Sequence, residues 1–195
     1  LTVAGFYYVY RNKHFYTFVR APPIGVVTTT VNIPKSTVRG LDLDFEARPF
    51  DQLTLRGGVT YIKTKVGDYL AYDNFGAVSN LKGSEFNFAP PWSGTFDAEY
   101  RTPLSTNLEG YVGGSLLYNS RTYSDLGEKS ETRLRSYTVM DARIGVGSQH
   151  GWRLGLWARN LTNKYYWTAI SPGVNAQGKF AGMPRTYGVS AGMRF

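Results

Sequence analysis

The sequence has no cysteine, only two histidines and three methionines, and no long apolar run. Zero cysteine excludes disulfide scaffolds, thiolate nucleophiles and Cys-ligated metals. His14 and His150 alone exclude a histidine-rich metal centre, so neither a metal nor a cofactor is expected. No window approaches ~18 consecutive apolar residues, which excludes a transmembrane helix but not a transmembrane strand, whose apolar half is hidden by alternation. Acidic residues are also few: Asp plus Glu is 14 against 22 Lys plus Arg, a net charge of +8. The basic residues are scattered singly, with no basic face for nucleic acid. They suit a surface beside anionic lipid headgroups. Residues 1–10 lack the basic start and small-residue cleavage site of a signal peptide, and Leu1-Thr2-Val3 reads as already inside a strand.

Glycine (22), tyrosine (15) and phenylalanine (11) are abundant, and period-2 alternation recurs from end to end while helical periodicity is nearly absent. A first run covers Leu1 to about Tyr10 and resumes from Phe15 to Val19 after the polar Arg11-Asn12-Lys13-His14; Ala21-Pro22-Pro23 ends it. A second runs from near Val26 to Ala47, with Leu41, Leu43, Phe45 and Ala47 opposite Asp42, Asp44 and Glu46. Further runs start at Leu53, Trp92, Leu108, Met140 and Trp152, and an eighth closes the chain at Phe195. Connections alternate in length: short at 48–52, 102–107 and 147–151, long at 67–85, 120–132 and 162–184. Short turns on one side, long loops on the other and strands of about 10 residues or more are the pattern of an outer-membrane barrel. Tyr61, Trp92, Tyr100, Tyr118 and Trp152, near strand ends, suit an aromatic girdle. The expected fold is therefore an all-β antiparallel transmembrane barrel segment of about eight strands.

The last strand sets Tyr187, Val189, Ala191, Met193 and Phe195 against Thr186, Gly188, Ser190, Gly192 and Arg194. An alternating strand ending in phenylalanine resembles the signal by which the bacterial outer-membrane assembly machinery accepts its substrates. Before it come Asn160-Leu161-Thr162-Asn163-Lys164-Tyr165-Tyr166 and Met183-Pro184-Arg185-Thr186-Tyr187-Gly188, and upstream lie Lys35-Ser36-Thr37-Val38-Arg39-Gly40-Leu41-Asp42-Leu43-Asp44-Phe45 and Phe88-Ala89-Pro90-Pro91-Trp92-Ser93. In this order, the four motifs resemble the C-terminal strands of TonB-dependent outer-membrane receptors. That resemblance implies a barrel of about 22 strands around an N-terminal plug, of which residues 1–195 would be the C-terminal portion without the plug.

The resemblance further implies active uptake of a scarce nutrient, most often a ferric siderophore and less often vitamin B12, haem or carbohydrate. The implied partners are outer-membrane lipid, the plug and remaining barrel strands, the TonB complex acting through that plug, and the assembly machinery. Asp42, Asp44, Glu46, Arg56, Asp97, Glu99, Asp141, Arg143, Arg153 and Arg159 are expected to face the lumen, because a charge on the lipid face costs ~2–4 kcal/mol at the midplane. Ligand candidates are the loop residues Tyr69, Tyr72, Phe75, Arg121, Tyr123, Tyr166, Trp167 and Lys179, which could stack on or pair with an anionic chelate. No enzyme is expected, since His150 falls in a short turn and His14 has no nearby Ser or Asp at the mouth. The alternative architecture is a self-contained eight-stranded outer-membrane barrel with a structural or adhesion role.

Overall fold

The computed structural model describes residues 1–72, 76–148, 150–173 and 176–193. Phe75 and Phe195 lie outside the described residues. Eight strands form a continuous antiparallel meander: β1 (Thr2–Ala21), β2 (Gly25–Phe50), β3 (Leu53–Lys65), β6 (Trp92–Ser105), β7 (Leu108–Asn119), β10 (Tyr137–Ser148), β11 (Trp152–Arg159) and β14 (Thr186–Met193). Short strands occupy the long connections: β4 (Leu70–Tyr72) with β5 (Val78–Asn80), β8 (Thr122–Tyr123) with β9 (Arg133–Leu134), and β12 (Trp167–Ser171) with β13 (Gly178–Ala181). The only helical element among the described residues is a three-residue 3₁₀ turn, Ser130–Thr132. The main sheet runs β14-β11-β10-β7-β6-β3-β2-β1-β4-β5. Its β1 and β14 do not pair with each other among the described residues, so the barrel is not closed and the self-contained eight-stranded alternative is not the observed architecture.

Register separates two faces. Leu53, Tyr100, Val112, Ile144, Leu156 and Val189 lie in one cross-strand row. Glu46, Arg56, Asp97, Ser115 and Asp141 lie in a row on the other face. Asp42 and Asp44 share the side of Glu46, and Arg143 and Glu99 flank Gly113 on that same side. Arg153 and Arg159 share the side of Trp157, the partner of Arg143. All ten charged residues named above thus occupy one face, opposite the leucines. The charged side chains pair across strands: Arg143 is bidentate on Asp97 at 2.7 and 2.9 Å and reaches Glu99 at 2.9 Å. It crosses β7 over Gly113, where an added Cβ would sit 2.9 Å from the guanidinium carbon; the glycine leaves the passage open. Arg101 joins Glu99 to Glu109, and Arg56 meets Glu46 at 3.2 Å.

Strand ends run further than alternation suggested. The tract Arg11–His14 stays within β1, pairing with Asn32–Lys35 while Asn12 (φ 53°) and Pro34 are skipped. Asparagine tolerates this left-handed backbone, and proline has no N–H to lose from the ladder. Pro49 is likewise absorbed by the register shift between Ala47 and Phe50, so the turn shrinks to Asp51-Gln52. At 20 and 26 residues, β1 and β2 exceed their neighbours, and their far ends enter the side carrying the long loops.

Candidate functional site

Loops 66–91, 120–136 and 160–185 lie at one end of the sheet and join the β1–β2 hairpin in a cap. Its core is Phe15, Ile33, Val66, Ala71, Leu81, Phe86 and Leu126, with Phe15 and Phe86 edge to face at 5.0 Å. The loops also exchange backbone bonds: the Phe88 N–H donates to the Tyr123 carbonyl, the Ala89 N–H to Thr122 Oγ1 and the Ile170 N–H to Ser124 Oγ. The first loop also bonds to itself, the Val66 N–H donating to the Ser84 carbonyl and the Leu81 N–H to the Tyr69 carbonyl, and neighbouring loops supply further partners.

Between the second and third loops lies a basin of about 1150 Å³, lined by Arg121, Arg133, Arg135, Lys164 and Lys179, by Tyr118, Tyr165, Tyr166 and Trp167, and by the acidic Glu131. Arg121 is held by Glu85 at 3.1 Å, which raises its already high pKa, and its guanidinium lies 5.5 Å from the Tyr123 ring centre. Arg133, Arg135, Lys164 and Lys179 form no ion pair among the described residues. The Lys179 ammonium lies 5.8 Å from the Trp167 ring centre, and Tyr165 packs edge to face on that indole at 5.0 Å. Tyr166 stacks on Tyr137 at 4.2 Å, and burial pushes its phenol pKa up. Excess positive charge beside flat π faces can hold a polyanion that carries aromatic rings by charge-assisted hydrogen bonds and stacking.

The sequence candidates divide. Arg121, Tyr166, Trp167 and Lys179 converge on this basin. Tyr123 pairs with Arg133 in the β8–β9 ladder and lies under Arg121. Tyr69 packs against the core of the cap, and Tyr72 faces Phe18 and Val78 in the sheet, so neither joins the basin. Arg133, Arg135, Lys164, Tyr118 and Tyr165 are not among the sequence candidates. The alternation of Arg133 and Arg135 just before β10 is the available signal, since it puts two cations on one side of an extended segment.

The neck of the third loop explains one motif physically. Asn160, 3% exposed and at φ 49°, donates its side-chain amide to the Lys164 and Met183 carbonyls, both at 2.9 Å, and accepts the Lys164 N–H at 2.7 Å. Its own N–H donates to Asp141 Oδ1, and Asn163 Oδ1 accepts the Arg185 N–H. The Asn-Leu-Thr-Asn-Lys stretch is thus a turn whose side chains bind both ends of the loop.

Comparison with known proteins agrees with this architecture. The family profile described as TonB dependent receptor-like, beta-barrel matches residues 1–161. The ferric-pyoverdine M114 receptor PbuA of Pseudomonas sp. (strain M114) is 27% identical over 161 residues, 83% of this chain and 18% of that receptor. The ferric yersiniabactin uptake receptor FyuA of Yersinia pestis superposes with a TM-score of 0.79 at 15% identity, over 99% of this chain and 27% of that one. The siderophore receptor PiuA of Acinetobacter baumannii gives 0.69 at 20% identity, over 97% and 25%. The chain therefore spans under a fifth of the curated relative and about a quarter of the solved receptors, which share its fold. The family match over most of the length and the same meander of strands lead to one assignment: the chain belongs to the TonB-dependent receptor β-barrel family.

Proposed function

We propose that this chain furnishes wall strands and outer loops for TonB-dependent uptake across the outer membrane, with an anionic ferric siderophore as the substrate class. The basin carries this reading: five cations against Glu131, with four aromatic rings, lie at the loop-bearing end of the sheet. The relatives named as ferric siderophore receptors support it. In this reading the leucine-rich face meets lipid, and the ten charged residues line the lumen, where they contact water and the plug. Energy from the TonB complex arrives through that plug, and the final strand through Phe195 addresses the chain to the assembly machinery. No bond is made or broken in the cargo: the basin binds, orients and releases it.

The test is binding of radioactive ferric chelates to cells expressing the protein with Arg133, Arg135 and Lys179 replaced by Ala. Binding of iron(III) tricatecholate, a trianion, should weaken at least about tenfold, since each lost charge-assisted contact is worth on the order of 1 kcal/mol at a partly exposed site. Binding of a neutral ferric trihydroxamate should change little. Equal loss for both chelates, or none for the trianion, would overturn the reading.

A further inference from the structure

We propose that Asn160 is a positioning residue for the basin: its carboxamide ties the two ends of the third loop together and so sets where Lys164, Tyr166, Trp167 and Lys179 stand. The inference rests on the reading of the basin as a ligand site. Asn160 is not itself among the residues that line the basin. It uses both amide protons on carbonyls 19 residues apart, Lys164 and Met183, and its oxygen on the Lys164 N–H. No other side chain of this size offers two donors and an acceptor in one plane. The surrounding bonds reinforce the neck: the Leu161 N–H donates to the Met140 carbonyl, the Asn163 N–H to the Asn160 carbonyl and the Gly182 N–H to the Tyr166 carbonyl.

The consequence follows from chain geometry. Lys164 is bonded at both its N–H and its carbonyl, so its backbone is fixed before its side chain reaches the basin. Tyr166 is fixed two residues later by Gly182 and by stacking on Tyr137, which belongs to the wall. Trp167 opens β12, and β13 brings Lys179 back over its ring. Without the carboxamide the two ends of the loop would lose the side chain that ties Lys164 directly to Met183, and only the neighbouring bonds would hold the neck. The cations and rings would no longer be presented together, and binding would require ordering the loop at that moment.

The backbone and side-chain contributions of Asn160 separate cleanly. Asn160→Gly keeps the left-handed backbone and removes the amide, whereas Asn160→Asp keeps the acceptor and removes both donors. With the protein in its native membrane and iron(III) tricatecholate as the probe, Asn160→Gly should raise Kd about tenfold, with the heat-modifiable folded fraction unchanged. Lys179→Ala in the Asn160→Gly background should cost little more, because one change already disables the other's group. Independent, multiplicative losses, or wild-type binding in Asn160→Gly, would overturn the positioning role. If Asn160→Gly does not assemble, Asn160→Asp carries the same cycle, and the same two outcomes decide it. Wild-type binding in Lys164→Ala and Lys179→Ala would remove the basin reading and the positioning role with it. Losses in those variants beside normal binding in Asn160→Gly would remove the positioning role alone.

Discussion

In the sheet the large apolar side chains stand on the outside: Leu156 is 57% exposed and Val189 73%. In the cap a group of them turns inward around a small core, with Ile33 fully buried and Phe86 at 7%. On the proposed reading the two regions meet different solvents. A wall strand in a bilayer needs no partner for its leucines, since lipid covers them, and its backbone is satisfied by the ladder alone. The loops face water and have no complete ladder, so they build a small core and borrow hydrogen-bond partners from one another. Charge is deployed differently too. On the wall Arg143 and Arg101 pair with Asp97, Glu99 and Glu109, whereas in the basin Arg133, Arg135, Lys164 and Lys179 form no ion pair among the described residues. Paired charges hold one another in place, whereas unpaired cations have affinity to spare for an anion.

That contrast can be broken at several points. The largest effect is expected from Phe86→Ala in the core of the cap, a loss of ~3–5 kcal/mol in local stability. Hydrogen exchange should accelerate in loops 66–91 and 120–136 and stay unchanged in β10 and β11. A wall that loosens together with the cap would show that the two are one cooperative unit. Next comes Leu156→Arg, on the opposite side of the contrast, expected to cost ~2–4 kcal/mol because the charge would sit in lipid. Denaturant titration of the protein refolded into bilayers should report it, with little change in the exchange of the cap. A neutral result would mean that this face is not lipid-covered.

The smallest effect concerns Asp125, whose burial raises its carboxyl above the usual range while the Leu126 N–H donated to it partly offsets the shift. A raised carboxyl favours the folded loop most when protonated. Its contribution is therefore fully present below the ordinary carboxylate pKa of about 4 and is lost as pH rises through the higher folded value. Amide protection in residues 122–134, corrected for intrinsic exchange, should rise as pH falls through that window. Asp125→Asn should flatten the dependence; a profile with unchanged slope would assign the pH effect to another group.

Much of the wall was legible because its information is local. Leu53, Leu55, Val59 and Tyr61 alternate with polar residues in a stretch that needs no distant partner to be recognised as a strand, and the run read from Trp152 starts where β11 does. The cap resisted for the converse reason. The hairpins Leu70–Tyr72/Val78–Asn80 and Trp167–Ser171/Gly178–Ala181 are too short to show a period, and contacts from other loops fix their pairing. Tyr69 and Arg121 looked equally suitable as ligand contacts, since both are large polar-tipped residues in a loop. Only the fold sent Tyr69 towards the core and Arg121 to the basin rim.

The sequence by itself therefore determined the class of structure: period-2 alternation, the short–long rhythm of connections, and the ordered motifs around Asn160 and Pro184. Each is written over a few consecutive residues, and backbone geometry converts it directly into strands and turns. Tertiary structure alone decided which charges pair with one another and which form no ion pair among the described residues. Arg143 meets Asp97 from 46 residues away, and the two sides of the basin come from loops separated in sequence by β10 and β11. Pairing at that range depends on strand register and on how the loops close over the sheet's end, which no local pattern encodes.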